Sequence, residues 1–240
     1  MGKKVKNSIY ISLLLVCSMT VTAQQPTVAK TLEKVEAYYK TTKTFNLEVE
    51  YAMYRGYTGS YQTESYKGSM YKNGDVTQIK ILGSEILQFP KVQLTINDEN
   101  KTLVYNPITD KSMQKSLLDI ASFLKFYKEA STKVSGNTII HELVVKNTQL
   151  PIPYNKIILH VNKNNYSIQK QILYLSTKVP FVDEAGKDIE DVGRMVITFK
   201  TSPVSIKAPQ LQDYVVLEPN KKPHLAKAYA AYTIIDQSNI

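Results

Sequence analysis

Residues 66–110, YKGSMYKNGDVTQIKILGSEILQFPKVQLTINDENKTLVYNPITD, decide the fold class. Val92, Leu94 and Ile96 alternate with Gln93, Thr95 and Asn97, the period-two pattern of a strand with one buried side. Asn97-Asp98-Glu99-Asn100-Lys101 supplies turn chemistry, and Thr102–Tyr105 returns as the next strand. Short strands joined by tight polar turns make a meander, which favours a binding surface over an active site when no catalytic constellation accompanies it.

Upstream, Val28, Leu32, Val35 and Tyr38/Tyr39 recur at helical spacing, so residues 27–42 read as an amphipathic helix. The period then changes. Phe45, Leu47, Val49, Tyr51 and Met53 alternate with Asn46, Glu48 and Glu50 in a long first strand. Gly56-Tyr57-Thr58-Gly59 forms a turn, and Gln62–Tyr71 begins the meander.

Downstream, a second helix is expected near residues 112–129. Leu117, Ile120, Ala121, Leu124 and Tyr127 make one face, and Leu118, Phe123 and Phe126 widen it far beyond a narrow stripe. Such a helix is either deeply buried or covers an apolar concavity. Strands follow at Thr138–Lys146, Asn155–Asn162, Ser167–Ser176 and Arg194–Thr201, with Lys163-Asn164-Asn165 as a hairpin turn. Pro180–Val192 is polar and acidic and reads as an exposed excursion. Pro203, Pro209, Pro219 and Pro223 punctuate an irregular C-terminal segment, and Tyr229, Tyr232, Ile234 and Ile235 suggest a last tethered strand. With no repeat, linker or composition break, residues 24–240 read as one domain.

Residues 1–23 carry the marks of an export signal: Lys3, Lys4 and Lys6, an apolar core from Ile9 to Met19, and small residues at Val21-Thr22-Ala23. That core is short of the roughly 20 residues of a membrane span. The sole cysteine, Cys17, lies inside it, and bulky Val16 before it argues against lipidation there. Removing the three lysines lowers the net charge from +9 to +6. The basic side chains are nearly all lysine, with only Arg55 and Arg194 as arginine, and they are spread along the strands rather than concentrated. This speaks for a solvated sheet face and against a nucleic-acid reader. Weak attraction to anionic headgroups or acidic envelope polymers is the functional alternative.

Catalytic patterns are missing. His141, His160 and His224 have no metal-ligand spacing between them, and no G-x-S-x-G elbow, H-E-x-x-H helix or glycine-rich phosphate loop occurs. Asp183, Glu184, Asp188, Glu190 and Asp191 do not match a calcium loop. A glycosidase-like pair from that loop and Glu142 has no support in the spacing. The chain is therefore read as non-enzymatic, with no cofactor and no metal. Its 17 tyrosines and absent tryptophan suit cross-strand packing or an aromatic lining at a cavity mouth.

The order of elements carries a resemblance. After the helix and the strand from Thr44-Phe45 come Lys67-Gly68-Ser69-Met70-Tyr71, Gly83-Ser84-Glu85, Thr95-Ile96-Asn97-Asp98 and Lys101-Thr102-Leu103-Val104-Tyr105-Asn106-Pro107. Asn165-Tyr166-Ser167-Ile168 and Val196-Ile197-Thr198-Phe199 before Pro203 continue it. Over residues 27–205 the chain resembles the outer-membrane lipoprotein carrier (LolA/LolB-like) family, as a divergent member. The resemblance implies a mainly β (α+β) fold, a strongly curved antiparallel half-barrel sheet covered by a few helices, with acyl chains held in the hollow.

It further implies a periplasmic carrier or chaperone for the acyl chains of lipids or lipoproteins, in peripheral contact with membranes or with envelope proteins. Leu117, Leu118, Ile120, Phe123 and Leu124 would then line a lid, and Leu47, Val49, Tyr51 and Ile81 the sheet. A one-residue register slip would reverse the sheet residues. Periplasmic carriers commonly place a basic residue, usually Arg, just after the aromatic of the second strand; here Lys72 follows Tyr71 and is the headgroup or release candidate. Ser205–Ile240 extends past the point where the family's chain is expected to end. The alternative class is a non-catalytic envelope scaffold or sensor that uses the sheet for protein contacts.

Overall fold

The computed structural model describes residues 26–108, 125–147, 151–203, 207–219 and 221–238. The expected lid residues Leu117, Leu118, Ile120, Phe123 and Leu124, the export segment and Cys17 lie outside them.

The chain opens with α1 (Val28–Thr41), whose N-cap Thr27 accepts the Lys30 N–H. Ten strands then form most of one sheet: β1 (Thr44–Arg55), β2 (Gln62–Asn73), β3 (Val76–Ile81), β4 (Ser84–Phe89), β5 (Val92–Asn97), β6 (Thr102–Pro107), β7 (Tyr127–Ser135), β8 (Thr138–Val145), β9 (Tyr154–Asn162) and β10 (Ile168–Leu175). The hairpin β11 (Val179–Val182) and β12 (Asp188–Asp191) leads into β13 (Gly193–Thr201). The C-terminal segment carries the short pair β14 (Val215–Val216) and β15 (His224–Leu225), then β16 (Thr233–Asp236).

The order across the twelve-stranded sheet is β16-β6-β5-β4-β3-β2-β1-β13-β10-β9-β8-β7, with no closing pair between its ends among the described residues. The sheet is curved and open, as the resemblance implied. All neighbours are antiparallel except β16, which runs parallel to β6 with Ile234 opposite Leu103. Hairpin turns set the register. Between β3 and β4 both loop residues, Leu82 (φ 49°) and Gly83 (φ 70°), adopt left-handed backbone, the twist that matches the flanking strands.

Two apolar cores lie on opposite faces. Rows of paired residues run unbroken across the hairpins, so each face can be followed from strand to strand. Leu47, Met70, Ile79, Ile86, Thr95 and Val104 form one row; Asn46, Tyr71, Gln78, Leu87, Leu94 and Tyr105 form the neighbouring row on the other face. The first face carries α1. Val28, Leu32, Val35 and Tyr39 of the helix are buried with Val49, Met70, Leu143, Ile157, Leu159 and Val161. The second face is covered over β4–β6 by the C-terminal segment, where Leu87, Leu94, Ile96 and Leu103 pack with Tyr214 and Val215. Over β1, β13 and β9 that same outer face is polar, with Lys200–Glu50 and Lys156–Glu142 ion pairs. This is the solvated lysine face expected from the charge pattern.

One expectation is corrected. The helix expected to reach residue 129 stops earlier: residues 125–126 are helical, and strand β7 begins at Tyr127. Pairing of β7 with β8 claims these residues, and Tyr127 is buried with its hydroxyl on the Tyr154 carbonyl at 2.7 Å. Helical spacing of apolar residues does not outweigh strand pairing that runs from Tyr127 opposite Val145 to Ser135 opposite Thr138. The excursion Pro180–Val192 is mostly exposed, as expected, and carries the β11–β12 hairpin with Phe181 buried at its base.

Candidate functional site

The face that carries α1 is the inner face of the sheet. Two elements frame a stretch of its floor. At one end α1 lies across Leu47 and Val49. At the other, the β11–β12 hairpin folds onto the sheet through Phe181. Gly193 makes that fold possible. A Cβ there would stand 2.7 Å from Phe181 Cζ and 3.2 Å from Leu175 Cδ1, closer than side chains tolerate. Between the two lie Tyr51 and Met53 of β1, Met195 and Ile197 of β13, and Tyr66 of β2, joined by the pairs Tyr51–Ile197, Met53–Met195 and Tyr51–Tyr66. Tyr51, Met53 and Met195 are half-buried, and Tyr66 is 41 % exposed. This apolar floor is the candidate site.

Of the expected sheet residues, Leu47, Val49 and Tyr51 share the inner face by alternation, and Ile81 shares it with Ile79. Their surroundings differ. Val49 is buried under α1 and is core rather than lining. Leu47 and Tyr51 pack at its margin, and Ile81 is half-buried beside the Leu82-Gly83 turn. Met53, Met195 and Phe181 were missed. The alternation of Met53 and Met195 within their strands was visible, whereas nothing local marks Phe181 among acidic and turn residues.

Lys72 sits elsewhere. Its ammonium donates to the Tyr39 carbonyl at 2.7 Å and reaches the Lys40 carbonyl at 3.3 Å. Both belong to the last turn of α1, where unpaired carbonyls and the helix dipole favour a cation. Burial lowers the ammonium's pKa, and Asp75 partly opposes this. In this structure Lys72 holds the C-terminal end of the helix.

A buried polar network fastens the other end. His141 is fully buried, with Nε2 at 2.9 Å from Thr31 Oγ1 of α1 and Nδ1 at 2.7 Å from Thr132 Oγ1 of β7. Glu129 takes the Val28 N–H at 2.9 Å, is hydrogen-bonded by the Thr132 hydroxyl and lies 3.8 Å from His141 Nδ1. Burial pushes the His141 pKa down, against the pull of Glu129. Burial pushes the Glu129 carboxyl up, but Thr132, the Val28 amide and His141 together hold it below its usual value. His160 faces the outer side and is lowered by burial and by Lys170. His141 and His160 are thus sheet residues, and His141 is also the bolt between sheet and helix.

Among the described residues, no group of three or more His, Cys, Asp or Glu is placed to hold a metal ion. Among the same residues, no helix is long and apolar enough to cross a membrane.

No family model matches the chain, and no curated protein matches it significantly. Solved structures do. A LolA superfamily protein from Nitrosomonas europaea is 16 % identical, with 73 % of this chain and 92 % of that chain covered and a TM-score of 0.30. A putative outer membrane lipoprotein-sorting protein domain from Vibrio parahaemolyticus is 9 % identical, with 74 % and 93 % covered and a TM-score of 0.30. The Pseudomonas aeruginosa MucA/MucB complex gives 10 % identity over 76 % of this chain and 58 % of that chain, with a TM-score of 0.37.

Proposed function

We propose that this chain is an exported, non-catalytic binding protein that shields an acyl chain of a lipid or lipoprotein on the inner face of its sheet. The observation that carries the reading is the half-buried apolar floor of Tyr51, Met53 and Met195 between α1 and the β11–β12 hairpin. Each methylene moved from water onto such a surface gains about 0.8 kcal/mol, so a long acyl chain is the ligand that such a floor favours most. Tyrosines 51 and 66 at its edge pack their rings and keep their hydroxyls hydrated, which suits the boundary between chain and headgroup.

Titration with a fluorescent fatty acid tests this. The full chain takes it up saturably, and Met53→Lys with Met195→Lys abolishes uptake while the far-ultraviolet circular dichroism stays unchanged. Polar replacement of Leu118 and Phe123 in the same assay tests the expected lid segment. Failure of the full chain to take up fatty acid, with no lipid extracted from protein purified without detergent, would overturn the reading.

A further inference from the structure

We propose that the first half of β2, Gln62–Lys67, is a docking edge for an extended, basic peptide segment of a partner protein, which adds to it as a further strand. The edge arises from unequal strand lengths. β2 pairs with β1 along nearly its whole length, whereas β3 pairs with β2 only from Ser69 to Asn73. The backbone groups of Gln62–Lys67 that point away from β1 therefore have no strand partner among the described residues. β-Strand addition satisfies such groups at the usual spacing of about 4.8 Å, with main-chain hydrogen bonds giving affinity and alternate side chains giving selectivity.

The other edges of the sheet are blunted. β7 is broken by an irregularity between Glu129 and Ser131 and carries Lys128 and Lys133, and β16 is only four residues long. β2 departs from regular pairing only at its start, near Gln62, and runs evenly with β1 from Glu64 onward. Tyr66, 41 % exposed, stands in the middle of this stretch.

Charge selects the occupant. Tyr61–Glu64 form one wall of a groove of about 280 Å³, and Phe181, Asp183 and Asp188 belong to the opposite side. Glu64, Asp183 and Asp188 are its only charged lining residues, on a chain whose net charge is +9. The neighbouring Arg55 is already engaged by Asp191 at 3.7 Å and by the Tyr61 ring. Of the ammoniums nearby, Lys67 stands at the far end of the edge and Lys187 in the hairpin turn between Asp183 and Asp188, and neither lines the groove. Glu64 belongs both to the edge and to the groove lining, so a strand laid along the edge runs beside these carboxylates, which favours lysine or arginine side chains over acidic ones.

The test uses a fluorescein-labelled peptide of about six residues alternating lysine with valine, and its counterpart with glutamate for lysine, each titrated against the full chain by fluorescence polarisation. The lysine peptide binds at least about tenfold more tightly, and amide exchange slows at alternate residues of 62–67. Glu64→Lys with Asp188→Lys, both at exposed positions, brings the two peptides to parity. Equal affinities in the unmodified chain, no binding, or protection confined to other strands would overturn the proposal. Tyr66 lies on the edge and Phe181 in its groove, and both border the acyl floor, so peptide binding is also recorded on protein that takes up no fatty acid; selective lysine-peptide binding there upholds the edge while overturning only the acyl reading.

Discussion

Thr31 Oγ1 and His141 Nε2 stand 2.9 Å apart at the buried contact between α1 and the sheet. Thr31 lies on the apolar stripe of the helix and His141 in the middle of β8, and both are almost wholly excluded from water. Buried polar groups of this kind stabilise only while satisfied, so the contact fixes where along the sheet the helix begins.

Acid should loosen this contact. Burial depresses the His141 pKa in the folded state, so the unfolded chain binds the extra proton more readily. Stability is then full above the unfolded value of about 6.5 and falls as the pH drops through it toward the folded value. The groups facing His141 are Glu129, Thr132 and Thr31, of which only Glu129 is charged, and its own contribution is lost at lower pH. Urea unfolding midpoints at pH 7.5 and 5.5 should differ in the unmodified chain and differ less in His141→Gln. His160→Gln should leave the Thr31 contact in place and remove only the separate share that the lowered His160 pKa carries.

Lys72→Met should lower stability by about 0.5–1.5 kcal/mol, the range for losing a hydrogen-bonded partner of a helix end. The Tyr39 and Lys40 carbonyls would lose their cation. Thermal melting reads the loss. If Lys72 acts only on the helix, fatty-acid affinity will be equal in the variant and in the unmodified chain, whatever the charge of the headgroup.

Gly193→Ala should cost about 1–3 kcal/mol by overpacking, because the new methyl would meet Phe181 at 2.7 Å. The double variant Gly193→Ala, Phe181→Leu should recover part of that loss, since a smaller, more flexible side chain yields to the methyl. Comparison of the two melting curves checks the account.

The two cores should respond independently. Leu94→Ala on the outer face should cost about 2–5 kcal/mol, and so should Leu32→Ala in α1 on the inner face. The cores lie on opposite sides of the sheet and share none of their buried residues, so the double variant should equal the sum within about 0.5 kcal/mol. A larger discrepancy in denaturant unfolding would mean that the sheet transmits strain between its faces.

The sequence by itself determined the local elements. Helical spacing located α1, alternation located β1 and β5, and polar turn residues located the hairpins, because each signal spans a few neighbouring residues and reflects their own torsions and burial. The resemblance added the curved open sheet. It was the tertiary structure that decided which side each apolar row would face. Val49 and Leu94 look alike in their strands, yet one is buried under α1 and the other beneath the C-terminal segment on the opposite face. The crossover happens at β2 and β3, where Met70 and Tyr71 are buried on opposite sides. Alternation says only that one side of a strand is apolar. Which cover reaches that side depends on register carried across successive hairpins, on the curvature of the whole sheet, and on where distant segments return. The same holds for Lys72, which met the end of a helix more than 30 residues away, and for the first half of β2, which has no second strand partner among the described residues because its neighbour β3 is shorter.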